Sequence, residues 1–266
     1  MTKTKAFIKI LACVAVAGAT IQARAVVDYT IGGNIGTDLE TFNFTLDNNA
    51  ESGLAGAIDL TPSGANPGPA PLATVCVDLS GTLYLGNTYS FTGPLTFNGA
   101  GSGLDPTWGG LNAAGNPFNA ANASAAIENA AYLFSTYSSY LTTGTVSQKA
   151  ALQLAVWSAL YNTKGTSLGG EAGLTVNSGR LSVTGGDSTA ISLADTLLAS
   201  IPTSFSAFAG YLLQPDPTSQ YGLTGQELFD NVSAVPEPAT IISGMLLLLP
   251  LGASAFRIFR NRKAQL

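Results

Sequence analysis

The chain has 266 residues, with 16 Asp and Glu, 11 Lys and Arg and a formal net charge of −5. It contains no histidine, which excludes Ser-His-Asp catalysis, Cys-His catalysis and a histidine-ligated zinc site. Most bases sit at the ends: residues 26–234 hold fifteen acidic side chains against Lys149, Lys164 and Arg180, a net charge of −12 that repels nucleic acid and anionic membrane surfaces.

Taken in order, residues 1–25 read as a secretory signal peptide. Lys3, Lys5 and Lys9 precede an apolar run from Ile10 to Ile21, and Ala23-Arg24-Ala25 offers a signal-peptidase site. Residues 26–234 are then the exported domain, long enough to bury a real core. From Val26 to Leu60, apolar residues alternate in patches around Tyr29, Ile31, Phe42, Phe44 and Leu46. That spacing predicts short strands, broken at Gly32-Gly33 and at Asp47-Asn48-Asn49. Residues 61–71, TPSGANPGPAP, are too rich in Pro and Gly for regular structure. Leu72 to Leu79 predicts a strand with Cys76 in its middle. Thr82 to Phe91 predicts a hairpin about Gly86-Asn87, and Thr92 to Pro117 a long loop over Trp108.

The period then changes. Asn119 to Tyr140 and Ser147 to Tyr161 predict helices, the second capped by Ser147. Leu174 to Val183 reads as strand and Ser188 to Ala199 as a third helix, while Phe205 to Leu213 suits either type. The fold class expected is α+β: a β-sandwich or barrel with an inserted helical subdomain.

Two residues stand out against this background. The Ser147–Tyr161 helix is apolar almost all round, which marks a helix buried on every side. Yet Gln153 sits in its middle, on the face of Ala150, Trp157 and Leu160. A buried amide without partners costs about 1–3 kcal/mol. Cys76 is the second anomaly. Cys13 leaves with the signal peptide, so Cys76 remains as the single thiol of an exported chain. Attack of that thiol on the Gln153 carboxamide would release ammonia and leave a thioester, removing both anomalies at once. Val75, Val77, Trp157 and Tyr161 would shield the bond from water. Asp78, two residues on, would face the same side of the strand as Cys76.

The C-terminal 235–266 segment has its own logic. Pro236-Glu237-Pro238 precedes an uncharged apolar run over 239–256, and Arg257, Arg260, Arg262 and Lys263 follow. Eighteen helical residues reach roughly 27 Å, just enough to span a bilayer core, with the basic cluster on the cytoplasmic side. Motif, helix and basic tail together resemble the PEP-CTERM sorting signal of Gram-negative bacteria. The resemblance implies an exosortase as processing partner, a transient anchor, and a producer of extracellular polysaccharide.

The pieces Val75-Cys76-Val77 and Leu152-Gln153-Leu154-Ala155-Val156-Trp157 resemble the thioester-forming domains of bacterial surface adhesins. In that family, a Cys on a strand and a Gln on a helical segment form an internal electrophile. The resemblance implies single-use covalent capture of an amine on a partner surface, not turnover catalysis, with no cofactor. It also implies a barrel or sandwich packed on a helical subdomain.

Two other readings remain open. One is a structural or polysaccharide-binding matrix protein with Cys76 reduced and buried. The other is a glycoside-acting β-sandwich using carboxylates such as Asp105 and Glu128. No metal is expected, and Asp47-Asn48-Asn49 reads as a turn rather than a Ca²⁺ loop.

Overall fold

Asp47 (φ 53°) and Asn48 (φ 67°) both lie in the left-handed region. They form a two-residue turn that folds β2 (Leu39–Leu46) onto β3 (Asn49–Gly56), with Leu46 opposite Asn49. Asx residues tolerate that conformation better than other side chains, and such turns match the twist of a hairpin. β2 then alternates as its sequence asks, with Phe42 and Phe44 buried and Asn43 exposed between them.

The computed structural model describes residues 26–77, 79, 82–98, 120–164, 169–170, 173–205, 208–216 and 228–234. The signal peptide, the sorting tail from residue 235 on, Asp78, Asp105 and Trp108 lie outside the described residues. Among the described residues no helix is long and apolar enough to cross a membrane.

The architecture is α+β with antiparallel sheets. A six-stranded sheet runs in the order β5 (Leu72–Thr74), β4 (Ile58–Pro62), β1 (Val26–Gly32), β6 (Thr88–Asn98), β8 (Phe208–Pro215) and β9 (Leu228–Ala234). A three-stranded sheet holds β3, β2 and β7 (Leu181–Gly185). The two outer edges of the larger sheet meet just beyond β5. Cys76 bridges to Leu228, Phe229 N–H donates to the Val75 carbonyl (3.3 Å), and the Thr74 hydroxyl donates to the Phe229 carbonyl.

Among the described residues, four helices fall between the early and late strands. α1 (Ala120–Tyr137), α2 (Ser139–Thr143) and α3 (Val146–Asn162) come between β6 and β7, and α4 (Ser188–Ala199) follows β7. α3 is central. It packs against α1 and α4 as well as β2, β3 and β7, and every residue from Lys149 to Asn162 is buried. Its near-uniform apolar sequence is the cause: no face is polar enough to be left in water.

Several elements differ from expectation. The Leu72–Leu79 strand stops at Thr74, because beyond it Cys76 turns its backbone to a side chain of α3. The Gly86-Asn87 turn docks on β1 instead of closing a hairpin: Gly86 N–H donates to the Ile31 carbonyl (2.7 Å) and Ile31 N–H to the Asn87 carbonyl (2.9 Å). β6 therefore starts at Thr88 and pairs with β1. The strand expected from Leu174 forms only at Leu181, and β9 has no counterpart in the sequence reading. The cap of α3 is Thr145 rather than Ser147. Thr145 Oγ1 accepts from Gln148 N–H (3.3 Å), while Gln148 Oε1 accepts from Thr145 N–H (2.8 Å), a reciprocal capping box.

The Pro- and Gly-rich loop after β4 is anchored on one buried carboxylate. Asp28 accepts from Asn66 N–H (2.9 Å), and those hydrogen bonds hold its carboxyl below the usual range. Gly64 (φ 71°) passes so close to Asp28 that a β-carbon would collide with it.

Candidate functional site

The capping box fixes where α3 begins, and an ion pair fixes its rotation. Lys149 Nζ lies 2.5 Å from Asp38 Oδ1, with both side chains largely buried. That contact holds the Asp38 carboxyl below its ordinary range. One turn further on, Gln153 is 1 % exposed.

Its carboxamide meets Cys76. Gln153 Oε1 accepts from the Cys76 backbone N–H at 2.7 Å, and Gln153 Nε2 donates to the Cys76 carbonyl at 2.8 Å. The side-chain amide thus pairs with one residue's backbone as a strand would, across 77 positions of sequence. Cys76 is itself 3 % exposed, and its neighbours Val75 and Val77 are fully buried. Residues of α3 spaced four apart line up along this segment. Gln153 takes Cys76, and Tyr161 Oη accepts from Leu79 N–H at 3.0 Å. Between them, Trp157 packs on Phe44 with ring centroids 6.1 Å apart.

The sequence named Cys76, Gln153, Val75, Val77 and Trp157, and the fold brings all five together. Tyr161 was expected only as a shield, but its hydroxyl is also an anchor for the chain that follows Cys76. The donor that polarises the Gln153 carbonyl was not identifiable from side chains, because it is the Cys76 peptide N–H.

The arrangement has definite chemical consequences. A donor aimed at Oε1 stabilises the negative charge that grows there when a nucleophile adds to the carboxamide carbon. The Cys76 carbonyl holds the nitrogen that would leave. Orientation of nucleophile and electrophile supplies much of the rate of such a step, and here the residue that carries the thiol also holds the carboxamide through its backbone.

A pocket of about 490 Å³ reaches Cys76. Cys76 and Trp157 lie in its lining together with Phe44, Leu46, Leu83 and Glu51. Among the described residues the buried Trp157 indole Nε1 has no hydrogen-bond partner.

Glu128 takes a different place from the one a glycosidic acid would need. It is 1 % exposed within α1, and its Oε2 accepts from Phe208 N–H at 2.6 Å, tying α1 to β8. Burial pushes its carboxyl up to about 7. Gln148, the other glutamine of α3, is spent in the capping box. Among the described residues no cluster of three or more Cys, Asp or Glu side chains is placed to hold a metal ion.

No protein-family model matches the chain, and no curated protein or solved structure is similar enough to count as a match.

Proposed function

We propose that the exported domain forms an internal thioester between Cys76 and Gln153 and uses it once, to capture an amine on another surface. The observation that carries this reading is the two-point clamp of the Gln153 carboxamide on the Cys76 backbone. In the forming step, Cys76 Sγ bonds to the Gln153 carboxamide carbon and the carbon–nitrogen bond breaks. The thiol proton leaves with the nitrogen as ammonia. Burial of both residues excludes water that would hydrolyse the product.

The wider role follows from the two ends. The protein is exported by its signal peptide, held briefly in the inner membrane by residues 239–256, and sorted by an exosortase at Pro236-Glu237-Pro238. It then acts at the cell surface or in the extracellular polysaccharide of a Gram-negative bacterium, in adhesion or biofilm attachment. In this reading residues 26–234 are one domain. The large sheet, whose edges meet at Cys76, is its barrel-like part, and α1 to α4 form the inserted helical subdomain.

A second reading has its own support. The same two hydrogen bonds give both polar atoms of a buried amide a partner, so Gln153 would serve a plain matrix protein as a tie between α3 and the sheet. Thiol titration of the denatured mature protein separates the two. The thioester form yields no Cys76 thiol until methylamine liberates one; the matrix form yields it at once.

A further inference from the structure

We infer that the pocket beside Cys76 selects an unbranched alkyl amine whose far end carries a second positive charge, with Glu51 as the residue that reads that charge. The inference rests on the thioester reading and adds the class of amine.

The pocket has a buried end and an exposed end. Cys76 is 3 % exposed, whereas Glu51 is in solvent, and both line the same space. Its volume of about 490 Å³ falls within the roughly 300–1,000 Å³ of small-molecule sites. Between the two ends the lining is mostly apolar, with Ser52 and Thr82 also in it. Trp157 stands one helical turn beyond Gln153 and touches Phe44. Phe44 is paired directly with Glu51 across the β2–β3 hairpin, so the two side chains share one face of the sheet. Leu46 and Leu83 complete the lining along this route.

A captured amine must place its nitrogen at the Gln153 acyl carbon, at the buried end. Its stem then lies against Trp157, Phe44 and the leucines, where a polar or branched chain would lose hydration without gaining partners. The far end emerges beside Glu51. A cation there gains a carboxylate, a neutral group gains nothing, and an anion is repelled. In the capture step the amine nitrogen bonds to the acyl carbon and the carbon–sulfur bond breaks. One proton passes from the nitrogen to the sulfur, restoring the Cys76 thiol.

Three amines of matched stem test this: 1,6-diaminohexane, n-hexylamine and 6-aminohexanoate. Each is added to the purified mature protein at low ionic strength, and the adduct is followed by intact mass. The expected order of rates is diamine, then monoamine, then amino acid. The steps should be roughly 1.5-fold to fivefold, beyond the diamine's twofold statistical advantage, the size of an exposed ion pair. Glu51→Gln should collapse the order and Glu51→Lys should invert it. A response of the domain's overall negative charge alone would survive Glu51→Gln almost unchanged, and that result would overturn the inference. Equal rates for the three amines with the wild-type protein would overturn it too. Wild-type protein that shows no ammonia deficit before any amine is added would remove the thioester reading, and this inference with it. A deficit with the wrong rate order removes the inference alone.

Discussion

The Gln153 carboxamide and the Cys76 peptide unit satisfy one another: N–H to Oε1 at 2.7 Å, Nε2 to C=O at 2.8 Å, with both residues buried. A side chain of the central helix thus takes the place of a neighbouring strand. It also puts the residue that carries the thiol in direct contact with the carboxamide inside the core.

Removal of that amide should be costly. In a Cys76→Ala background, where no thioester can form, Gln153→Leu preserves the bulk of the side chain but leaves the N–H and carbonyl of residue 76 without their partners in the interior. The unfolding free energy should fall by about 2–4 kcal/mol. Denaturant unfolding of the two proteins measures it, and a loss below about 1 kcal/mol would mean that water or another group replaces the amide.

Cys76→Ala tests a different term. It keeps both backbone hydrogen bonds and deletes only the sulfur. A thioester joining residues 77 apart constrains the unfolded chain as a disulfide does, by about 4 kcal/mol on the chain-entropy model. The variant should therefore lose several kcal/mol, and methylamine treatment of the wild type should cause a similar loss. A small cost, with no effect of methylamine, is what a simple buried thiol would give.

Much of this was legible in the sequence, for physical reasons that differ by element. The helices were readable because their apolar period is long, although the Asn119–Tyr140 run divides into α1 and α2 at Ser138 and α3 is capped by Thr145 rather than Ser147; α4 runs from Ser188 to Ala199 as its pattern predicts, with Asp187 accepting from Thr189 and Ala190 N–H. The Asp47-Asn48 turn was readable because few residues tolerate its conformation. Cys76 and Gln153 were readable as two residues whose chemistry did not suit their surroundings. What the sequence hid was non-local. The strand through Cys76 is cut short by a partner 77 residues away, and the Gly86-Asn87 turn is claimed by β1 rather than by its own flanks. The polarising donor at Oε1 is a main-chain group, which no side-chain pattern reveals. β9 (LFDNVSA) carries a weak alternation of its own and is defined by pairing with β8.

The buried carboxyl of Glu128 gives a pH signature far from the thioester. Its folded-state value is raised to about 7, well above the ordinary 4.5. The folded protein therefore holds a proton that the unfolded chain releases between those values. The contribution of Glu128 to stability is greatest below about pH 4.5 and falls as pH rises through 7, by roughly 1–3 kcal/mol. Glu128→Gln keeps an acceptor for Phe208 N–H and should flatten this dependence. Unfolding midpoints at pH 5 and 8 for the two proteins measure it; identical slopes would show that Glu128 ionises in the fold as it does in water.

The most direct measurement of the central claim is the intact mass of the purified mature protein, its termini fixed by peptide mapping, beside Cys76→Ala and Gln153→Ala. The account predicts a wild-type mass lower than the sequence by one ammonia, a single adduct with methylamine, and neither feature in the two variants. A wild-type mass equal to the sequence, unchanged by methylamine, would contradict it and leave the Cys76–Gln153 clamp as a structural tie.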